Sequence, residues 1–146
     1  MGDFGLELKV GVARSHSLSK AARDVSGQVR VRQTIEPGPR PGTTRVDLDI
    51  TNRFNSETLT GLFAIQLNDL TPGVTLESAM IFVNGQAQAL TVTYDADGNP
   101  IVNIPASIAT RLRRGQSLPL IALVFDNPDD VPVHFQTQVF LDPLES

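Results

Sequence analysis

Between residues 45 and 141, apolar and polar residues alternate in short runs that are separated by turn-forming residues. The clearest run is residues 45–52, where Val46, Leu48 and Ile50 alternate with charged residues at positions 45, 47 and 49. A period of two places the apolar set on one face of a β-strand and the charged set on the other. The pattern recurs at least five more times, closed by Gly, Pro, Asn or Asp. The sequence therefore predicts an all-β fold, an antiparallel β-sandwich of seven to nine strands.

Particular segments refine this prediction. Asn84-Gly85 is the dipeptide best suited to a two-residue type I′ hairpin turn. Residues 118–125 are almost continuously apolar, which is typical of a strand buried on both faces. Helix is expected only within residues 18–24 or 107–114. The following residues are expected in the core: Val46, Leu48, Ile50, Ile65, Leu76, Leu90, Val92, Leu123, Phe125, Phe135 and Val139.

The first part of the chain is expected to be distinct, with an N-terminal strand and hinge in residues 1–25 and the sandwich domain in residues 26–146. The strand has an apolar face that it cannot bury alone, formed by Leu6, Leu8, Val10 and Val12. It must add to an edge of its own sandwich or to the edge of another copy, which would make the protein self-assembling. We favour the first arrangement because nothing after Val25 indicates an incomplete sandwich.

Composition restricts the partners that this chain can have. Its 146 residues suit one domain, and 40 % hydrophobic with 19 % charged residues is ordinary for a globular protein. The net charge of −4 gives no electrostatic reason to bind nucleic acid, and no apolar run is long enough for membrane insertion. The absence of cysteine excludes disulfides and thiolate metal sites. Because no signal peptide is evident, we expect a cytoplasmic protein or, as we favour, a segment of a longer exported one.

Candidate catalytic groups are sparse, so an enzyme is not expected. His16 lies in a polar turn and His134 on the outward face of the last strand, and neither accompanies a nucleophile motif. Asp47 and Asp49 share one strand face about 7 Å apart, a spacing that an inverting glycosidase could use. We favour the simpler interpretation that the two aspartates are charges on a solvent-facing strand, which discourage edge pairing.

Two clusters are candidate binding sites. Asp95, Asp97 and Asn99 resemble the first half of a calcium loop, although residue 106 is alanine where such a loop has a glutamate. The same residue types are also what a tight hairpin requires. No cofactor is expected apart from this calcium ion. The second cluster is basic, and it either pairs with a carboxylate or phosphate of a partner or forms a solvated loop. It consists of Arg111, Arg113 and Arg114.

A glycan is a further candidate ligand. Sugar-binding modules built on β-sandwiches usually present a row of aromatic rings, yet this chain has no tryptophan and only one tyrosine, Tyr94. The exposed aromatic candidates are Phe54 and Phe140. This composition argues against a platform for crystalline polysaccharide and leaves a polar glycan site open.

The order of the motifs from residue 43 to residue 142 resembles fibronectin-III-like or immunoglobulin-like modules of bacterial secreted and cell-surface proteins. The matching stretches are Val46-Asp-Leu-Asp-Ile-Thr-Asn52, Leu67-Asn-Asp-Leu-Thr-Pro-Gly-Val-Thr-Leu76, Asn84-Gly85 and Gly115-Gln-Ser-Leu-Pro-Leu-Ile-Ala-Leu-Val-Phe-Asp-Asn-Pro128.

The resemblance implies an extracellular or cell-surface location, as a segment of an exported protein. We expect a non-catalytic structural or interaction module that contacts a protein partner or neighbouring domains of the same chain. The alternative is a glycan- or calcium-binding accessory module of an extracellular enzyme.

Overall fold

The computed structural model describes residues 21–54 and 57–143, and these form two antiparallel five-stranded sheets packed face to face. Sheet I contains, in spatial order, β1 (Arg23–Asp24), β12 (Gln136–Asp142), β5 (Leu62–Asn68), β9 (Pro100–Asn103) and β8 (Thr91–Tyr94). Sheet II contains β2 (Val29–Pro37), β3 (Thr43–Asn52), β11 (Ile121–Asp126), β6 (Thr75–Val83) and β7 (Gln86–Ala89). A small ribbon pairs β4 (Leu59–Thr60) with β10 (Arg111–Leu112). The predicted all-β sandwich is confirmed.

The core lies between the inner faces of the two sheets and is built by the alternation seen in the sequence. Val46, Leu48 and Ile50 of β3 are fully buried beside the buried strand β11. Phe125 and Phe135 pack against each other with ring centroids 5.5 Å apart. All the predicted core residues are buried except Leu76 and Val92, which are partly buried against the same cluster. The sequence pattern therefore identified a substantial part of the core, while buried residues such as Val25, Leu59 and Leu112 were not predicted.

The two main sheets contain ten strands, more than the seven to nine expected. The sequence predicts that residues 87–94 form one strand returning from the Asn84-Gly85 turn, but the chain leaves sheet II at Ala89 and continues in sheet I at Thr91. Leu90 lies at the crossing, where it is buried and its N–H donates to the carbonyl of Ala79 at 2.9 Å. A strand that changes sheet keeps its period of two, so periodicity cannot reveal the break.

The predicted Asn84-Gly85 turn is confirmed. Both residues have positive φ, at 53° and 79°, and Val83 pairs directly with Gln86 across the two-residue loop. These angles are those of a type I′ turn, whose twist matches that of the strands it joins.

The expected helical segments are not helical where the structure describes them. Residues 21 and 22 precede β1, which is formed by Arg23 and Asp24. The helical conformation nearby is one 3₁₀ turn at Ser26–Gln28. Residues 107–114 contain a turn followed by β10, whose Leu112 is buried. Pairing with β4 and burial of Leu112 outweigh the weak local helix signal of this segment.

Arg23 and Asp24 pair with Leu141 and Phe140, and Val25 is fully buried. Residues just before position 26 are thus already integrated into the sandwich. The division into residues 1–25 and 26–146 stays a prediction for the earlier part of the chain, since the predicted strand with Leu6, Leu8, Val10 and Val12 lies outside the described residues. Within the described ranges, no helix is long and apolar enough to cross a membrane.

Candidate binding face

The outer face of sheet I carries a grid of mostly polar side chains, and we call it the ladder face. Three members of the grid, Ala64, Thr93 and Ile101, are buried. On β5, Phe63, Ile65 and Leu67 point into the core, so the alternate residues of that strand point outward. The strand pairings then fix their neighbours on the same face. The four rows of the grid, each read across the sheet, are Gln136–Asn68, Gln138–Gln66–Ile101–Thr93, Phe140–Ala64–Asn103–Thr91 and Asp142–Leu62.

A chain of five side-chain hydrogen bonds crosses this face, and we call it the amide ladder. Gln138 Nε2 donates to Asp24 Oδ2 at 3.1 Å, and Asn68 Nδ2 donates to Gln138 Oε1 at 2.6 Å. Gln66 Nε2 donates both to Asn68 Oδ1 at 2.9 Å and to Asp95 Oδ2 at 2.7 Å. Asn99 Nδ2 closes the far end with a 3.0 Å bond to Asp95 Oδ2. The ladder runs from one edge of sheet I to the other, about 19 Å at the usual strand spacing.

Asp95 anchors the far end and also shapes the turn between β8 and β9. Its Oδ1 accepts the backbone N–H groups of Asp97 and Asn99, each at 2.9 Å. Its carbonyl accepts the N–H of Gly98, which has φ of 84°. This is an Asx-turn, in which a side-chain carboxylate replaces a backbone acceptor. The position of the ladder therefore depends on the conformation of this turn.

Asp24 anchors the near end. Partial desolvation would raise the pKa of its carboxyl group, but hydrogen bonds from the Ser26 side chain, the Ser26 backbone N–H and Gln138 together lower that pKa below its ordinary value. The Ser26 backbone N–H lies 2.8 Å from Asp24 Oδ1. Donors directed at a carboxylate favour its charged form, so Asp24 is an ionised acceptor at neutral pH.

A cleft of about 400 Å³ lies beside the ladder on the same face. Ala64, Thr91 and Thr93 contribute to its floor, and Pro105 and Ala106 form part of its wall. Asn103 also lines it, and its Nδ2 donates to the Thr93 hydroxyl at 3.1 Å and to two backbone carbonyls at 3.2 Å. Because the side chains at the floor are small, a ligand can approach the sheet closely here.

The ladder and cleft keep hydrogen-bonding capacity that no described residue uses. Gln66 Oε1 and Asn103 Oδ1 have no donor partner within residues 21–54 and 57–143. Asn68 and Gln138 each use one of their two amide hydrogens. The face therefore offers both donors and acceptors, held in place by the bonds that the same side chains already make.

The charge of the ladder face is negative or neutral. Its carboxylates are Asp24, Asp95 and Asp142, and none of the residues in the four rows is cationic. An anionic ligand would meet repulsion here, whereas a neutral polar ligand would not.

The outer face of sheet II is different in character because its charges neutralise one another. Arg45 Nε donates to Asp47 Oδ1 at 2.7 Å and lies 3.6 Å from Glu36 Oε1. The same guanidinium lies 5.6 Å from the centroid of the Phe82 ring, within cation–π range. The hydrogen bond to Asp47 raises the pKa of Arg45, with Glu36 adding to the effect. Asp47 is thus engaged by arginine rather than paired with Asp49 as catalytic carboxylates would be.

The candidate calcium residues share one turn. Asp95 is surrounded by N–H donors, which compete with a cation for its oxygens, and Asp97 is exposed. Among the described residues, no three His, Asp or Glu side chains cluster closely enough to hold a metal ion. Calcium binding at Asp95, Asp97 and Asn99 stays a prediction.

The basic candidates lie on and after β10 and are not among the four rows of the grid. Arg111, Arg113 and Arg114 are all exposed, and no carboxylate of the described residues forms an ion pair with them. His134 is exposed as expected, and His16 lies outside the described ranges. The arginine cluster stays a predicted contact for a partner.

Within residues 21–54 and 57–143, the aromatic side chains on the outer faces do not form a row. Phe54 is 82 % exposed and packs over Gly115, where an added Cβ would lie 2.6 Å from the Phe54 ring. Tyr94 is 46 % exposed at the end of β8, and Phe140 is half-buried in the ladder face. Phe140 is the one aromatic residue in the four rows of the grid.

The sequence did not reveal the members of the ladder. Gln66, Asn68 and Gln138 were ordinary outward-facing positions, and 70 residues separate Asn68 from Gln138. Their amide side chains at alternate positions of two strands were the available signal. It acquires meaning only once β5 and β12 are known to be neighbours.

Comparisons with known proteins do not assign a family. No protein-family model and no curated protein matches the chain. Two similar solved structures are chitin-binding domains of a chitinase from the hyperthermophile Pyrococcus furiosus, both with a TM-score of 0.46. Their sequences are 10 % and 11 % identical to this chain. Each match covers 77 % of this chain, and the two matches cover 85 % and 94 % of the respective chitin-binding domains.

A third is the CBM3a-L domain of a scaffoldin from the Clostridium thermocellum cellulosome, with a TM-score of 0.38 and 15 % identity. The match covers 80 % of this chain and 87 % of that domain. At these identities and TM-scores, none of the three supports a functional assignment. Nor do they establish the finer expectation of a fibronectin-III-like or immunoglobulin-like module.

Proposed function

We propose that the chain is a non-catalytic binding module whose ladder face recognises a neutral glycan chain. It would act as an accessory module within a bacterial exported or surface protein, located outside the cell or at its surface. The small-floored cleft would hold one part of the glycan, and the amide ladder would bind its hydroxyl groups along the sheet. The function is presentation of a fixed set of hydrogen-bonding groups, with no chemical step.

The observation that carries this proposal is the unused hydrogen-bonding capacity of the ladder. Sugar hydroxyl groups donate and accept hydrogen bonds, and the face offers acceptors at Gln66 and Asn103 beside donors at Asn68 and Gln138. Each of these side chains is already fixed by a neighbour, so little rotamer entropy remains to be lost on binding. A preorganised face of this kind suits a ligand that is rich in hydroxyl groups and carries no charge.

The charge of the face supports a neutral ligand in particular. Asp24 is held in its ionised form, and no cation stands in the four rows to neutralise a phosphate, sulfate or uronate group. An extended neutral oligosaccharide also fits the size of the face, because the ladder is about 19 Å long and a single sugar would engage only part of it.

The shortage of aromatic residues favours single glycan chains over crystalline surfaces. Phe140 offers one half-buried ring, whereas flat recognition of a crystalline polysaccharide needs several coplanar rings. Affinity must then come mainly from hydrogen bonds, which contribute about 1 kcal/mol each. We expect binding that is weak, and that is strengthened in the parent protein by neighbouring modules.

Isothermal titration calorimetry tests the proposal with neutral unbranched oligosaccharides, with and without N-acetyl groups. Asn103→Ala and Gln138→Ala each remove a ligand-facing amide, and each should weaken binding about fivefold, as one hydrogen bond predicts. Gln88→Ala is the matched control, since Gln88 is an exposed amide on β7 of the other sheet. Equal losses in all three variants, or no binding of any neutral oligosaccharide by the wild type, would refute the proposal.

The exposed arginines at 111, 113 and 114 are a separate candidate contact. We propose that they face a protein partner or a neighbouring domain of the same parent chain. They lie on and after β10 and are not members of the ladder face, so a glycan and such a partner would contact different residues.

A further inference from the structure

Strand β2 forms an open edge of sheet II whose inner side chains are not covered by sheet I. On the neighbouring β3, the inward residues Val46, Leu48 and Ile50 are fully buried. On β2 the inward residues become progressively exposed, from half-buried Val31 to Ile35, which is 53 % exposed. An exposed isoleucine on the core side of a sheet indicates that the sandwich is open along this edge.

The backbone of β2 is equally open. The N–H of Arg53 donates to the Gln28 carbonyl at 3.0 Å, and the N–H of Gly38 donates to the Thr43 carbonyl at 3.1 Å. The pairs 28–53 and 38–43, at the two ends of the β2–β3 ladder, are therefore hydrogen-bonded pairs. These pairs alternate with non-bonded pairs in an antiparallel ladder. Even-numbered residues from 30 to 36 therefore bond β3, and the N–H and C=O groups of Val31, Gln33 and Ile35 point away from it.

No described strand pairs with this edge, because β2 is terminal in the order of sheet II. Pro37 lacks an N–H and so marks the end of the usable edge. The open segment thus presents three alternate inward positions, residues 31, 33 and 35, with Pro37 at its end. Exposed strand edges of this length, with unpaired N–H and C=O groups, are sites where another strand can pair.

We propose that residues 6–12 of this same chain pair with the open edge of β2 as an antiparallel strand. Leu6, Leu8, Val10 and Val12 occupy four alternate positions, enough to pair with the three open positions of the edge. With that apolar set on the same face as Ile35, the side chains of the added strand would pack beside Ile35 as direct cross-strand neighbours. The strand would gain backbone hydrogen bonds on its one paired side, and part of its apolar face would be buried against the inward side chains of β2.

The connection is long enough to close within one molecule. Four residues, 25–28, join β1 to β2, so the chain enters the fold at the Val29 end of the open edge. Residues 13–22 then form the link, and ten residues span at most about 33–36 Å. A seven-residue strand is about 23 Å long, which is less than the maximum span of the link. Residues 6–12 can therefore lie along β2 of the same molecule, without pairing with another copy. The short tether gives this pairing a high effective concentration over pairing with a second copy.

Residue-resolved amide hydrogen exchange on the full chain tests this pairing, with a built-in control in the same strand. The amides of Val31, Gln33 and Ile35 are protected only if the open edge is paired, whereas those of Arg30, Arg32 and Thr34 are protected by β3 in either case. We expect protection at both sets in the wild type. Leu8→Pro should accelerate exchange at least tenfold at residues 31, 33 and 35 and leave residues 30, 32 and 34 unchanged.

Ser17→Pro is the matched control, since it introduces the same residue into the link and should leave both sets protected. Fast exchange of Val31, Gln33 and Ile35 in the wild type would overturn the proposal. Protection that disappears on dilution would also overturn it, because the occupant would then belong to a second copy. The pairing is independent of glycan binding, which takes place on the other sheet.

Discussion

The side-chain amide of Gln66 and the carboxylate of Asp95, 29 residues apart in the chain, are joined by a 2.7 Å hydrogen bond. Gln66 lies on the central strand β5 of sheet I, and Asp95 lies in the turn that follows the edge strand β8. Because Asp95 also organises that turn, the geometry of the binding face and the geometry of the turn are coupled. A substitution that alters the turn should therefore also alter the binding face, and the reverse should hold.

Replacing Asp95 should therefore destabilise the protein. Asp95→Ala removes an acceptor of two backbone N–H groups and two side-chain amides, and we expect a loss of about 1–3 kcal/mol in the free energy of unfolding. Asp97→Ala in the same turn is the control and should change that free energy by less than about 0.5 kcal/mol, because its side chain is exposed. Urea denaturation measures both, and equal effects would contradict the role given to Asp95.

Millimolar calcium should leave the melting temperature unchanged. The Asp95 oxygens already accept four hydrogen bonds, and a cation would have to displace those donors. Ligands that bind only the native state raise its stability by mass action, so thermal denaturation with calcium and with chelator is a sensitive measurement. A rise of several degrees that Asp97→Ala abolishes would show that the turn is a calcium site after all.

Asp24 should make part of the stability dependent on pH. Its folded-state pKa is lowered by hydrogen bonds from Ser26 and Gln138, which outweigh desolvation. A lowered carboxyl pKa contributes stability that is present above the unfolded value of about 3.9 and is lost as the pH falls through the folded value. The stability difference between wild type and Asp24→Asn should thus shrink below about pH 4. A difference that is constant from pH 7 to pH 3 would contradict this assignment.

The sequence predicted the local structure well because the determining signals are local. The alternation around Leu48 and the Asn84-Gly85 turn each depend on a few consecutive residues, and both predictions are confirmed. The break at Leu90 was missed since it changes the sheet to which a strand belongs without changing its periodicity. The helix expected in residues 107–114 was wrong for a related reason, because Leu112 is placed by its distant partner strand.

The candidate site could not be predicted from the sequence, for a different physical reason. Its members become neighbours only through strand order, as when β12 pairs with β5 and brings Gln138 beside Gln66. Polar residues on outward strand faces are common, so neither residue was distinctive by itself. The sequence predicted Asp95 as a candidate calcium ligand. Its observed interactions are with N–H donors, and calcium binding there stays untested.

The most direct test of glycan recognition follows the side-chain amide signals in ¹H–¹⁵N NMR spectra during titration with a neutral oligosaccharide that binds. The face predicts concentration-dependent shifts of the Gln66, Asn68, Asn103 and Gln138 amide groups, with the Gln86 and Gln88 groups on β7 of the other sheet unchanged. Shifts confined to the β7 groups, or a bound oligosaccharide that leaves the four ladder-face amides unperturbed, would contradict the proposed binding face.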